Sequence, residues 1–387
     1  MKRVLLTLLS SVMIFSLSLP KVNARETQNN DVSLAKSALS SVIIEQDTGK
    51  ILYEKDARKE LPPASMTKIM TMLIIMEEIN KGKLRLDEKV MTSEHAASMG
   101  GSQIFLEPGE EMTVKEMLKG IAIASGNDAS VAMAEKIAGT EEAFVALMNK
   151  KVKQLGLKNT HFENPTGLPA PGHYSSAYDM AIMGRELLKY PLITKFTGTY
   201  EDYLRKDTEK QFWLVNTNKL VRFYPGADGL KTGFTAEAKY CLTATAKKNN
   251  MRVVSVIMGA PTSKERNAQM TNLLDYAFNQ YQVKQLIKQG ENIERLSISK
   301  GKSKGVNVIT KSPVSVVLKK GEAMNKITKD IQLNKNIQAP IKKGQVVGVL
   351  ILKQGSKVLS KTDLVANKSV SKANWYDLFK RTVGGFN

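Results

Sequence analysis

Lys231-Thr232-Gly233, preceded along the chain by Ser65-Met66-Thr67-Lys68 and Ser125-Gly126-Asn127, is the stretch whose context decides how this sequence folds. The Lys-Thr-Gly tripeptide occurs once. Ser-x-x-Lys recurs at Ser18, Ser33, Ser297, Ser299 and Ser369, so that pattern says little by itself. Each motif alone also has an ordinary structural reading, as a helix cap, a helix–helix turn or a solvated turn. Order and setting separate signal from coincidence.

Pro62-Pro63-Ala64 breaks regular structure just before Ser65. Met66, Ile69, Met70, Leu73 and Met76 then recur at helical spacing to about Asn80. Thr113-Val114-Lys115-Glu116 reads as a capping box opening a second helix, which ends at Ser125-Gly126-Asn127, with a further helix from Asp128. Beyond Lys231, Ala238–Ala246 and Met251–Gly259 flank Lys247-Lys248-Asn249-Asn250 and read as antiparallel neighbours, followed by a helix from about Lys264 to Gln280. Ser41–Ile44 and Ile51–Tyr53, joined through Asp47-Thr48-Gly49-Lys50, form an early hairpin. Strands, many helices, then strands again predict an α+β domain in which the hairpin joins the late strands in one antiparallel sheet covered by helices.

From about Lys284 the pattern changes to short Val/Ile-rich strands between Lys, Gly and Asn, such as Val314–Leu318 and Val346–Leu352, with a turn at Gln354-Gly355. The expected division is 25–283 for the α+β domain, 284–368 for a small all-β domain, and 369–387 for a linker and terminal helix. In that helix Trp375, Leu378, Phe379 and Val383 share one face, with Lys380 and Arg381 off it.

Three residues along a helix place Ser65 beside the amine of Lys68. A serine hydroxyl attacks poorly until something takes its proton, and a neutral lysine can do so. Free lysine has a pKa of about 10.4, so a base role requires burial or a second cation to favour the neutral form. Lys231 is the candidate for that cation. Ser125 can relay a proton to a leaving amine. Asn127 can hold a substrate carbonyl and position Lys68. Lys231 and Thr232 can bind a carboxylate, and Gly233 leaves room for a substrate beside the strand. The N–H groups of Ser65 and Phe234 can pair as an oxyanion hole.

The chain of 387 residues carries a formal charge of +20, unevenly spread. Residues 284–387 hold 21 Lys and Arg against 6 Asp and Glu. An anionic cell surface fits that excess better than nucleic acid, since no aromatic–basic interleaving is present. Lys2 and Arg3 precede an apolar run from Val4 to about Leu19, and Val22-Asn23-Ala24 offers a cleavage site, so residues 1–24 read as a signal peptide. Cys241 is alone and sits in an apolar strand-like run, where it reads as a buried small hydrophobe. No metal or cofactor is expected: no His-Glu-x-x-His motif or cysteine pair occurs, and His95, His161 and His173 accompany no Gly-x-Ser-x-Gly elbow.

On its three motifs, the sequence resembles the low-molecular-mass penicillin-binding proteins, the serine-type D-alanyl-D-alanine carboxypeptidases. The likeness runs from about Ser37 to Arg381 and extends to Asn164-Pro165-Thr166-Gly167-Leu168 and Tyr174–Ala181, closest to versions from spore-forming Gram-positive bacilli. It implies a β-lactamase/transpeptidase-like catalytic domain and a Ser65 acyl-enzyme that expels terminal D-alanine from peptidoglycan stems before water releases the trimmed peptide. β-Lactams would acylate the same serine. By analogy Arg266, just before the late helix, helps hold the terminal carboxylate, and the terminal helix lies on the outer leaflet of the cytoplasmic membrane. Some members carry His where this chain has Phe234. The nearest rival, a class A β-lactamase, requires a Glu-x-x-Leu-Asn loop between the second and third motifs, and none is found. A silent penicillin-sensing or wall-binding protein is the rival from another class.

Overall fold

A computed structural model describes residues 33–375 apart from 207, 323 and 325. The signal-peptide reading of residues 1–24 lies outside the described residues, as does the terminal helix beyond Trp375.

The main sheet is built from β1 (Ser40–Glu45), β2 (Ile51–Lys55), β3 (Ala227–Thr235), β4 (Lys239–Lys248) and β5 (Met251–Ala260), in the order β2-β1-β5-β4-β3. Every pairing is antiparallel, so the first hairpin does join the late strands. The β4–β5 pairing continues to Lys248 opposite Met251, which shrinks the expected four-residue connection to Asn249-Asn250. Asn249 sits at φ 53°, as a two-residue hairpin turn demands.

All six residues of β1 are buried, and alternation explains why its apolar run is unbroken. Val42 and Ile44 face the helical layer, while Ile43 faces the opposite side. That opposite side is covered by α6 (Ser263–Gln280) through Met270, Leu273, Leu274 and Ala277.

The helical layer holds α1 (Lys68–Asn80), α2 (Val114–Lys119), α3 (Asn127–Ala138), α4 (Glu141–Leu155) and α5 (Ala177–Leu187). Every residue of α1 from Lys68 to Met76 is buried, so the helix is enclosed all round rather than along one stripe. A 3₁₀ turn at Ala64–Thr67 leads into it. The capping box at Thr113 forms as expected, with Glu116 N donating to Thr113 Oγ1 and Thr113 N to Glu116 Oε2. After α2 the chain widens into a π-helical turn over Gly120–Ala124, a departure from the plain helix the periodicity suggests. Such turns gather at functional sites.

Residues 281–372 form an all-β region. β6 (Tyr281–Ile287) pairs with β9 (Val314–Lys319). A second sheet combines β7 (Asn292–Ser297), β8 (Gly305–Thr310), β10 (Thr328–Leu333), β11 (Val346–Gln354) and β12 (Lys357–Ala366), in the order β7-β8-β12-β11-β10. Val306, Val308, Val316, Leu350 and Leu364 lie in their shared core.

Candidate active site

The three motifs converge. Ser65 lies in the 3₁₀ turn, where residues three apart eclipse one another, so Lys68 Nζ comes within 3.0 Å of Ser65 Oγ. The same amine donates to Asn127 Oδ1 at 2.6 Å and to the carbonyl of Thr166 at 2.7 Å. Lys68 is fully buried. Burial, and then the charge of Lys231, lower its pKa well below the ordinary lysine range, while Asp128 opposes that fall.

Ser125 closes the π-helical turn in the left-handed region at φ 68° and ψ 28°. Few non-glycine residues accept that conformation, and here it turns the chain from the Gly120–Ala124 turn into α3. Asn127 is held from two sides. Its N–H donates to Ser102 O at 2.7 Å and its Nδ2 to Gly100 O at 2.6 Å, which fixes the amide so that Oδ1 faces Lys68. The Asp128 carboxylate accepts from the N–H groups of Ile104, Leu106 and Ala129, latching the 100–106 loop onto the start of α3.

Lys231 and Thr232 belong to β3, an edge strand of the main sheet, opposite Thr243 and Leu242. At Gly233 a side chain would meet Pro63 O at 2.7 Å and Ala64 Cβ at 3.2 Å, so glycine allows the strand to press against the Ser65 turn. Ser65, Ser102, Ser125, Thr217, Thr232, Gly233, Phe234 and Arg266 line one cleft of about 510 Å³. Lys231 is not on its surface. It is only 1% exposed, with Nζ donating to Thr232 O at 3.1 Å, and burial followed by the Arg266 charge lowers its pKa to about 7. The cleft surface is therefore formed here by Thr232 and Arg266, with Lys231 beneath. Arg266 lies inside the first turn of α6 rather than just before it, its guanidinium bonded to Asn267 Oδ1. Phe234 is 55% exposed and packs on Tyr240 at 4.5 Å between ring centroids.

Two parts of the site carry no signal in the three motifs. Asn164 Oδ1 accepts from Thr166 N, Thr166 Oγ1 and Gly167 N, folding a tight turn that presents the Thr166 carbonyl to Lys68. A backbone carbonyl has no residue type of its own, although Asn-Pro-Thr-Gly is legible as a turn. Thr217 accepts a hydrogen bond from Thr232 Oγ1 at 2.7 Å. His173 packs behind the Ser65 turn, with its Nδ1 accepting from Glu163 N and its Nε2 donating to Thr67 Oγ1. Burial lowers the His173 pKa to about 4, so the ring is a neutral support. Cys241 is buried in β4 opposite Gly233, its thiol pKa pushed up to about 11 by burial. Among the described residues, no group of three His, Cys, Asp or Glu could hold a metal ion.

Residues 24–262 match the D-alanyl-D-alanine carboxypeptidase family, and residues 281–372 match the C-terminal domain of penicillin-binding protein 5. The chain is 60% identical to the D-alanyl-D-alanine carboxypeptidase DacF of Bacillus subtilis, over 99% of this chain and 98% of that one. It is 32% identical to DacA of Escherichia coli, over 88% and 85% of the two chains. Among solved structures, penicillin-binding protein 5 from Haemophilus influenzae superposes with a TM-score of 0.69 at 32% identity, over 87% of this chain and 98% of that one.

Proposed function

The chain belongs to the D-alanyl-D-alanine carboxypeptidase family, serine peptidases of peptidoglycan metabolism, and from that premise we propose how its own residues carry the reaction. Ser65 attacks the carbonyl of the penultimate D-alanine, and Lys68 takes the hydroxyl proton. The observation that carries this reading is the set of partners around Lys68. The Thr166 carbonyl can only accept, and so can Asn127 Oδ1, because the Asn127 amide nitrogen is committed to Gly100. A neutral amine has two N–H donors and one lone pair. With both donors occupied, the lone pair is left for the Ser65 hydroxyl. Deprotonated Lys68 is thereby aimed as a base.

Ser125, on the cleft wall, passes the proton to the departing D-alanine amine. The Ser65–Lys68 helix start and the edge strand at Phe234 supply backbone N–H groups to the oxyanion. Thr232 and Arg266 meet the terminal carboxylate, with the Lys231 charge below them. Water then releases the trimmed peptide from Ser65. β-Lactams acylate Ser65 by the same attack. The β-lactamase rival lacks a carboxylate at the place it needs one: Glu163 is exposed and faces His161 Nε2 at 3.0 Å, while the turn after it contributes only the Thr166 carbonyl.

For the rest of the chain the proposal is a signal peptide at 1–24, a catalytic domain at 25–283, a β domain at 284–368 and a linker with a membrane-surface helix at 369–387. The one-sided apolar spacing of Trp375, Leu378, Phe379 and Val383 and the basic excess of the last quarter support peripheral attachment at the outer face of the cytoplasmic membrane. Among the described residues no helix is long and apolar enough to cross a membrane.

The test is release of free D-alanine from a pentapeptide ending in D-Ala-D-Ala by Arg25–Asn387 and its Ser65→Ala variant. Release by the unaltered protein alone supports Ser65 as nucleophile. If neither releases D-alanine while penicillin still labels the unaltered protein at Ser65, the sensor reading replaces this one.

A further inference from the structure

Away from the cleft, the turn of the first hairpin meets the β domain. Lys50 Nζ donates to the carbonyl of Val317 in β9 at 3.0 Å and lies 5.7 Å from the centre of the Tyr281 ring. Two cavities flank this contact. One, of about 280 Å³, is lined by Thr48, Gly49 and Lys50 on the hairpin and by Lys357 to Lys361 on β12. The other, of about 410 Å³, is lined by Lys50, Lys319, Lys320, Glu322 and Lys357. Lys50 and Lys357 border both.

Five lysines therefore converge on adjoining hollows that contain a single carboxylate, Glu322. Among the described residues none of the five is within ion-pair distance of an acid, whereas Lys311 and Lys353 of the same β domain do hold acids. Burial and the charges of Lys357 and Lys319 lower the Lys50 pKa, with Glu322 opposing, as expected of cations that outnumber the one carboxylate beside them. Neighbouring ammonium groups left unneutralised favour an anion. Compact rotatable ammonium donors suit phosphate oxygens.

We propose that this junction binds phosphate groups of an anionic wall polymer rather than of a lipid surface, with the two cavities taking successive phosphates along one chain. The shared Lys50 and Lys357 make two neighbouring phosphates a better occupant than one, so a phosphodiester-type wall polymer fits better than a single small anion. Because Lys50 belongs to the catalytic domain and Lys357 to the β domain, bound polymer ties the two together and holds the enzyme beside its wall. The site is remote from Ser65 and independent of the reaction proposed there.

The experiment titrates Arg25–Asn387 with fluorescent polyphosphate, with inorganic phosphate and with phosphatidylglycerol vesicles, at low and at raised salt. The expected result is binding of polyphosphate that weakens with salt and exceeds that of inorganic phosphate. Binding should fall at least tenfold in Lys50→Gln/Lys357→Gln and by a smaller factor in Lys357→Gln, whose exposed side chain leaves the fold intact. A control, Lys329→Gln/Lys335→Gln, changes the same net charge elsewhere in the β domain and should keep most of the binding. D-Alanine release should be unchanged in all three variants. Equal losses in the control, absent polyphosphate binding, or dependence on Lys50 and Lys357 seen with vesicles only would each overturn the proposal.

Discussion

Lys68 Nζ stands 3.0 Å from Ser65 Oγ while two fixed oxygens, Asn127 Oδ1 and the Thr166 carbonyl, take up its other hydrogen-bonding directions. That arrangement makes the protonation state of one amine decide the direction of one hydrogen bond. As an ammonium, Lys68 donates to Ser65. As an amine it accepts the serine proton, and burial together with Lys231 favours the amine.

Asn164 is not among the residues lining the cleft, yet its Oδ1 holds the turn that delivers the Thr166 carbonyl. Asn164→Ala should lower the acylation rate roughly tenfold or more through misplacement of Lys68, and cost about 1–3 kcal/mol of stability from the freed donors. The distinguishing readout is the pH profile of penicillin acylation, whose lower limb should move. An unmoved profile with normal acylation at a temperature where the variant is folded would make Asn164 merely structural.

Arg266 lines the cleft with Thr232, at the place assigned to the terminal carboxylate. Arg266→Leu should lower kcat/KM for a D-Ala-D-Ala peptide by about 10- to 150-fold, the range of about 1.5 to 3 kcal/mol for a charged hydrogen-bonded contact. The same peptide amidated at its C-terminus should show little difference between the two proteins. Equal losses on both peptides would remove Arg266 from carboxylate recognition.

Lys231, with its pKa lowered to about 7 in the fold, binds a proton more weakly than in the unfolded chain. Between about pH 7 and pH 10 the unfolded state holds more protons there, so stability rises with pH over that window. The burial of this group is therefore a cost at neutral pH. Lys231→Met should raise the melting temperature at pH 7 and flatten the gain between pH 7 and pH 9, by an amount on the order of 1–2 kcal/mol. D-Alanine release should fall at the same time. Calorimetry at the two pH values checks it, and a pH dependence identical to that of the unaltered protein would contradict the assignment.

Gly167 has φ +84°, and a Cβ there would stand 1.9 Å from Ala64 O. Backbone must move for any side chain to fit. Gly167→Ala should destabilise by about 3 kcal/mol or more and uncouple the Thr166 carbonyl from Lys68. Denaturant unfolding measures the first effect. A loss below about 1 kcal/mol would show that the Ser65 turn yields easily.

Much of this was legible in the sequence because the informative residues sit where local rules operate. Pro62-Pro63 and the apolar spacing marked the start of α1, the Thr113 capping box formed as written, and the hairpin and late strands entered one sheet. Less legible was what long-range packing imposes. The π-helical turn before Ser125 has no composition of its own, and the depth of Lys231 follows from the strand lying against Ala64 rather than from Lys-Thr-Gly. The Thr166 carbonyl is a backbone atom aimed by Asn164 from about a hundred positions downstream of Lys68. The lysine cluster at the domain junction gathers residues near 50, 320 and 360, which sequence order keeps apart.

The measurement that bears most directly on the central claim is the rate of penicillin acylation against pH, for the unaltered protein and for Lys68→Met. If Lys68 is the base with a lowered pKa, the unaltered protein reaches its rate plateau well below the ordinary lysine range, and Lys68→Met is slower by about 100- to 10,000-fold, with any residual label still on Ser65. A rate that climbs tenfold per pH unit toward pH 10, or a Lys68→Met protein that acylates within a few-fold of the unaltered one, would contradict it.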